Sequence, residues 1–123
     1  GAGFRHAGGV MVLLRYTDAP IAPLLEQALA TLSAQPGFVT GWLGRSPDDP
    51  TVWVLASPWS AAGTMRHGLG SYEAKIALGP LQAFSTGDDL VLEQLARADE
   101  SGVVTSTSDR ATDADSAGPS GSG

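Results

Sequence analysis

PGFVTGWLGRSPDDPTVWVLASPW, residues 36–59, is the stretch whose reading decides the fold. Pro36-Gly37 ends whatever precedes it, because proline cannot donate to a helix ladder and glycine readily turns the chain. Phe38 to Arg45 then reads as a strand. Ser46-Pro47-Asp48-Asp49-Pro50 is turn chemistry, with two prolines flanking two carboxylates that bond their own backbone. Thr51 to Trp59 reads as the returning strand, so the whole is a hairpin. By period two, Trp53, Leu55, Ser57 and Trp59 share one face and Val52, Val54 and Ala56 the other. Pro58 has no N–H to give, which predicts the end of the strand or a sheet edge.

Upstream, Ile21, Leu24, Leu25, Ala28, Leu29 and Leu32 recur at spacings of three and four, the mark of one apolar helix face. Thr17 or Asp18 is placed to cap that helix and Pro20 to sit in its first turn. Val10 to Tyr16 (VMVLLRY) has the length and aliphatic character of a strand. Downstream, Ser60 is placed to cap a second helical region. Met65, Leu69, Tyr72, Ile76 and Leu81 keep helical spacing, while Gly68, Gly70, Gly79 and Pro80 divide it into two short helices. Asp88 to Leu95 (DDLVLEQL) gives a last strand, with helix as the competing reading. Residues 1–8 read as a flexible leader, 9–96 as one domain, and 97–123 as a disordered acidic, Ser- and Gly-rich tail.

Strand, helix, strand, strand, helical region, strand is the order of a ferredoxin-like βαββαβ domain. It predicts an α+β fold with an antiparallel sheet and both helices on one face. The other sheet face keeps apolar alternate positions. Hiding them against a second copy predicts a homodimer.

With 123 residues, 42% of them hydrophobic, the chain suits a single small core. Its formal charge of -6 argues against nucleic acid, whose phosphates need a basic patch, and against anionic membrane surfaces. There is no cysteine, so disulfides and thiolate chemistry are excluded. The early apolar run Val10–Leu14 is too short for a secretory h-region or a membrane helix, and the chain reads as cytoplasmic.

Pro36-Gly37-Phe38-Val39-x-Gly41, Arg45-Ser46-x-Asp48-Asp49-Pro50-Thr51-x-Trp53-Val54-Leu55, Trp59, and Met65-Arg66-x-x-Leu69-x-Ser71-Tyr72-x-x-Lys75 together resemble small members of the antibiotic biosynthesis monooxygenase superfamily. The resemblance spans about Gly9 to Leu95. It implies a dimeric α+β barrel with a pocket in each subunit between helices and sheet. It also implies either oxygenation of quinol- or anthrone-like aromatics with no metal or prosthetic group, or haem degradation. The haem-degrading branch carries an asparagine on the first strand and a Trp and a His in the second helical region. This chain has no asparagine, no tryptophan after Trp59, and Ala77 near the place of that histidine. Haem degradation is therefore discounted.

A cofactor-free oxygenase needs a dry aromatic cavity, one base, and a donor to hold the developing oxyanion. His67 is the natural base, because its unperturbed pKa lies near neutrality. Trp53 and Trp59 would wall a flat ring, Arg15 would donate to a substrate oxygen, and Arg66 and Tyr72 would line the mouth. Each has a plainer reading: His67 and Arg66 as solvated helix residues, the tryptophans and Tyr72 as core, Arg15 in a salt bridge to Glu93. Trp42 reads as core or dimer interface. The expected function is a cofactor-independent monooxygenase of a small aromatic substrate. The rivals are a non-catalytic dimeric module that binds an aromatic metabolite, and an isomerase or cyclase using the same pocket.

Overall fold

A computed structural model describes residues 8–18 and 21–106 of the chain. Its elements are β1 (Val10–Thr17), α1 (Ala22–Ser33), β2 (Trp42–Arg45), β3 (Val52–Trp59), α2 (Ala62–Leu69), α3 (Tyr72–Leu78), a 3-10 turn (Gly79–Phe84), β4 (Leu90–Glu93), β5 (Ala96–Asp99) and β6 (Gly102–Thr105). The first four strands form one sheet in the order β2-β3-β1-β4, with every neighbouring pair antiparallel. The fold is therefore the α+β, ferredoxin-like arrangement that the pattern predicts. β5 and β6 form a separate two-stranded sheet.

Alternation along β1 sorts the two faces. Val10, Val12, Leu14 and Tyr16 are buried, and Met11, Leu13 and Arg15 are only half-buried. The register sets Val10 opposite Trp59, Val12 opposite Ser57, Leu14 opposite Leu55 and Tyr16 opposite Trp53. These residues form the inner face, and they pack with Ile21, Leu25, Ala28 and Leu32 of the α1 region, Met65 of α2, Ala74 of α3 and Leu81. Trp59 lies fully enclosed, its Nε1 donating to the buried Ser57 Oγ at 2.9 Å and its ring edge-on to Phe38. Gly68 of α2 rests directly on that indole: a Cβ there would come within 2.5 Å of Cη2 and Cζ3. The glycine that weakens α2 as a helix is what lets it approach the sheet.

Several local expectations change. β2 begins only at Trp42, and Phe38 makes a single bridge to Trp59. Gly41 lies against the Phe38 ring and Leu29, and Val39 N donates to Pro58 O at 3.0 Å before the regular ladder begins. α1 starts at N-cap Ile21 with no side-chain cap, and its first-turn proline is Pro23, not Pro20, which lies outside the described residues. Ala61, not Ser60, is the N-cap of α2; the Ser60 hydroxyl instead meets Thr64 Oγ1 at 3.3 Å. Two short helices are present as expected, and Leu90–Glu93 is strand rather than helix.

The expected disordered tail is partly structured. Residues 97–105 belong to the β5–β6 hairpin, and Ser106 N donates to Leu95 O at 2.9 Å. Composition missed this because Arg97-Ala98-Asp99 and Gly102-Val103-Val104 are a short strand pair closed by a polar turn. The rest of that segment, and residues 1–7 of the leader, lie outside the described residues. Among the described residues no helix is long and apolar enough to cross a membrane.

Candidate active site

The six residues singled out from sequence do not converge. Trp53 and Trp59 both lie on the inner face of β3, but Trp59 is sealed in the core with its one donor satisfied. It is packing, not the wall of an open site. Arg15 alternates onto the outer sheet face, opposite Val54. Its backbone N–H donates to Asp89 Oδ1 at 3.0 Å and its carbonyl accepts from Thr86 N at 3.1 Å. In the strand register Glu93 stands opposite Val10, five residues along β1 from Arg15. Arg66, His67 and Tyr72 are exposed on α2 and α3, Tyr72 by 75%. Helical spacing turns Met65 and Gly68 inward, which leaves Arg66 and His67 outward.

Trp53 is the one that keeps a site-like environment. It is half-buried, and its Nε1 is buried with no hydrogen-bond acceptor among the described residues. A buried donor without an acceptor costs about 1–3 kcal/mol. Buried polar groups are nearly always hydrogen-bonded, so this one calls for an explanation, and a bound ligand supplies one. Two residues that sequence reading passed over flank it in register. Tyr16 lies opposite on β1 and Arg45 opposite on β2. The Arg45 guanidinium stands 5.2 Å from the centroid of the Trp53 ring, a cation–π contact. Burial, with a smaller push from Asp89, raises the Tyr16 phenol to about 12. Tyr16 therefore stays protonated, and a donor, at any physiological pH. Reading Ser46–Pro50 as the turn sets Arg45 opposite Thr51; the hairpin instead closes with Ser46 N donating to Val52 O at 2.9 Å, which brings Arg45 opposite Trp53.

This corner lies where β1 and β2 end and β3 begins, under the helices. A second concavity occupies the other face and the other end of the sheet. It is a groove of about 450 Å³ floored by Met11 and Pro58 and walled by Trp42, Leu92, Leu95 and Arg97. It does not lie between helices and sheet, where a subunit pocket was expected.

The class these features define is a two-layer ferredoxin-like α+β domain with an aromatic, donor-bearing corner under its helices. The sequence matches no family model and no curated protein. Solved structures do match. SnoaB from Streptomyces nogalater, described as a cofactor-independent oxygenase, is 26% identical with a TM-score of 0.66. The match covers 76% of this chain and 98% of SnoaB. An antibiotic biosynthesis monooxygenase at 15% identity matches with a TM-score of 0.58 over 68% of this chain and 93% of its own. Rv0793 from Mycobacterium tuberculosis, at 21% identity, matches with a TM-score of 0.60 over 77% of this chain and 100% of its own. By this structural likeness the chain shares the fold of antibiotic biosynthesis monooxygenases.

Proposed function

We propose that this chain is an oxygenase of a small quinol- or anthrone-like aromatic that requires no metal or prosthetic group, and that it works as a pair of identical copies. The observation that carries the reading is the buried Nε1 of Trp53, with no acceptor among the described residues, on the strand position opposite Tyr16, whose phenol burial holds protonated at neutral pH. The likeness to SnoaB supports it.

The chemistry asks three things of the protein. An acidic C–H or O–H of the substrate must lose its proton, the resulting anion must be held, and water must be kept away. The anion is electron-rich enough to reduce dioxygen itself. For a methylene substrate the ring carbon loses two hydrogens and gains one oxygen atom, and the second oxygen leaves as water. The Trp53 indole N–H and the Tyr16 hydroxyl act as donors to the oxyanion, and a positive Arg45 stabilises it at longer range. None of the three is a base at neutral pH. The proton therefore passes either to water or to His67 at the surface.

Oxygen uptake with anthrone- and quinol-type substrates tests the reading. Trp53→Phe keeps the ring and removes the donor. It lowers kcat by about 10²-fold with KM nearly unchanged, the expected loss for one oxyanion donor. His67→Ala holds kcat within about twofold; a fall to the buffer rate would instead give the proton-acceptor role to His67. A wild-type chain with no uptake above buffer, but with saturable binding of the same aromatics, would establish the second reading, a binding module. That reading is favoured by the lack of a base facing Trp53 among its register partners. Product mass separates a third possibility, because an isomerase or cyclase adds no oxygen.

A further inference from the structure

Tyr16 stands between two different neighbours at the end of β1. On one side the regular ladder sets it opposite Trp53. On the other side the ladder is broken. β1 pairs with β4 as far as Leu13 opposite Leu90, and pairing resumes at a single bridge, Tyr16 to Ser85. Three steps along β1 therefore face five on the other side, an excursion of two extra residues. Excursions of this kind often lie beside functional sites, where they re-aim a side chain. Gly87, at φ 80°, supplies the left-handed turn. Local hydroxyls close the loop: Gly87 N donates to Ser85 Oγ at 3.1 Å and Asp88 N to Thr86 Oγ1 at 3.3 Å.

Arg15 carries the seam. Its carbonyl, in the peptide that leads into Tyr16, accepts from Thr86 N at 3.1 Å. Its N–H, which an unbroken ladder would give to a backbone carbonyl, goes instead to Asp89 Oδ1 at 3.0 Å. A side chain thus stands in for the missing ladder partner. A carboxylate makes the stronger bond there and brings a negative charge to this end of the sheet. Of the charged groups gathered here, Asp18, Arg45, Asp88 and Asp89, it is Asp89 that reinforces the effect of burial on the Tyr16 phenol.

We infer that Asp89 is a positioning residue for Tyr16: its carboxylate, seated on the Arg15 N–H, sets the break in the ladder and so holds the Tyr16 hydroxyl in place as a donor. The inference deepens the oxygenase reading, on which its catalytic consequence rests. An oxyanion donor is effective when its position is fixed before the charge develops. Tyr16 is the last buried residue of β1 and sits at the seam, so a loose seam frees its side chain to move. Asp89 is itself exposed and acts through Tyr16, not on the substrate.

Full-length variants test this by oxygen uptake on an anthrone. Asp89→Ala removes acceptor and charge, and lowers kcat about tenfold with KM nearly unchanged. Asp89→Asn keeps an acceptor for the Arg15 N–H and recovers most of that loss. In a Tyr16→Phe background Asp89→Ala costs less than about twofold, because the residue it positions is gone. A loss that is undiminished in that background, or no loss at all, overturns the inference while sparing the oxygenase reading. A wild-type chain that takes up no oxygen overturns the reading instead, and the phenol then decides the inference by itself. The chain has two tyrosines, so Tyr72→Phe leaves Tyr16 as its one titrating phenol. Ultraviolet absorbance after a pH jump that outruns unfolding follows the phenolate. In that background Asp89→Asn and Asp89→Ala lower the midpoint from about 12 to a value still above 10, since burial remains. A midpoint that stays where it was in both variants sinks the inference.

Discussion

Tyr16 shows how one residue carries both fold and function. It is the last buried position of β1, and its ring seals the inner face opposite Trp53. The price of that burial is borne by the phenolate, which is why the hydroxyl titrates near 12 rather than 10. The folded state therefore favours the neutral phenol. Stability from this group is complete below about pH 10 and is lost as the pH climbs from 10 toward 12, where the folded chain holds a proton that the unfolded chain has released. Denaturant titrations across that window should show a falling midpoint, and Tyr16→Phe should flatten the fall. Trp53 makes the complementary case. Its ring is secured by Arg45 and by the register, yet its N–H is left unspent. Trp59, six residues on, has the same ring with its N–H bound to Ser57 and serves only the core.

Among the elements, the helical region after β3 is the least self-sufficient. α2 has no side-chain cap, two glycines within its span, and a contact with Trp59 in place of intrinsic stability. α3 is better finished: Ser71 Oγ accepts from Ala74 N at 3.2 Å and itself donates to Gly68 O at 2.8 Å. That hydroxyl joins the end of α2 to the start of α3, so Ser71→Ala should cost about 1 kcal/mol and loosen both helices together. Chemical denaturation measures the cost, and amide exchange at Leu69 and Ala74 shows whether the loosening is shared. The elements also set what was legible. The periodic apolar face of α1, the alternation of β1 and β3, and the two-part division of residues 62–78 could be read directly, because each is a local pattern with a local cause. β5 and β6 could not, since their residues are those of a polar tail and only hydrogen bonding between them makes strands.

For the molecule as a whole, the sheet has one covered and one uncovered side. Helices protect Val12, Leu14, Leu55 and Trp59, while Leu13, Trp42, Val54 and Ala56 face outward. Ala56 stands near the middle of that outer face, opposite both Leu13 and Trp42. In a separate copy, a glutamate there would keep its carboxylate in water; between two copies it would be stripped of water without a partner. On the proposed paired reading, Ala56→Glu should therefore leave circular dichroism unchanged and give single copies in light scattering where the wild type gives pairs. Retention of the pair would remove the outer face from the interface.

Residue order alone determined the succession of elements from β1 to β4, the turn at 46–50, and the side of β3 on which Trp53 and Trp59 fall. These follow from periodicity and turn chemistry, which act over a few residues. The site was decided by tertiary structure. Whether His67 looks inward depends on the rotation of α2 against the sheet, which the contact of Gly68 with Trp59 fixes. Whether Tyr16 and Arg45 flank Trp53 depends on pairings between strands distant in the chain. Such contacts are set by packing over long sequence separations, and composition and spacing carry no record of them.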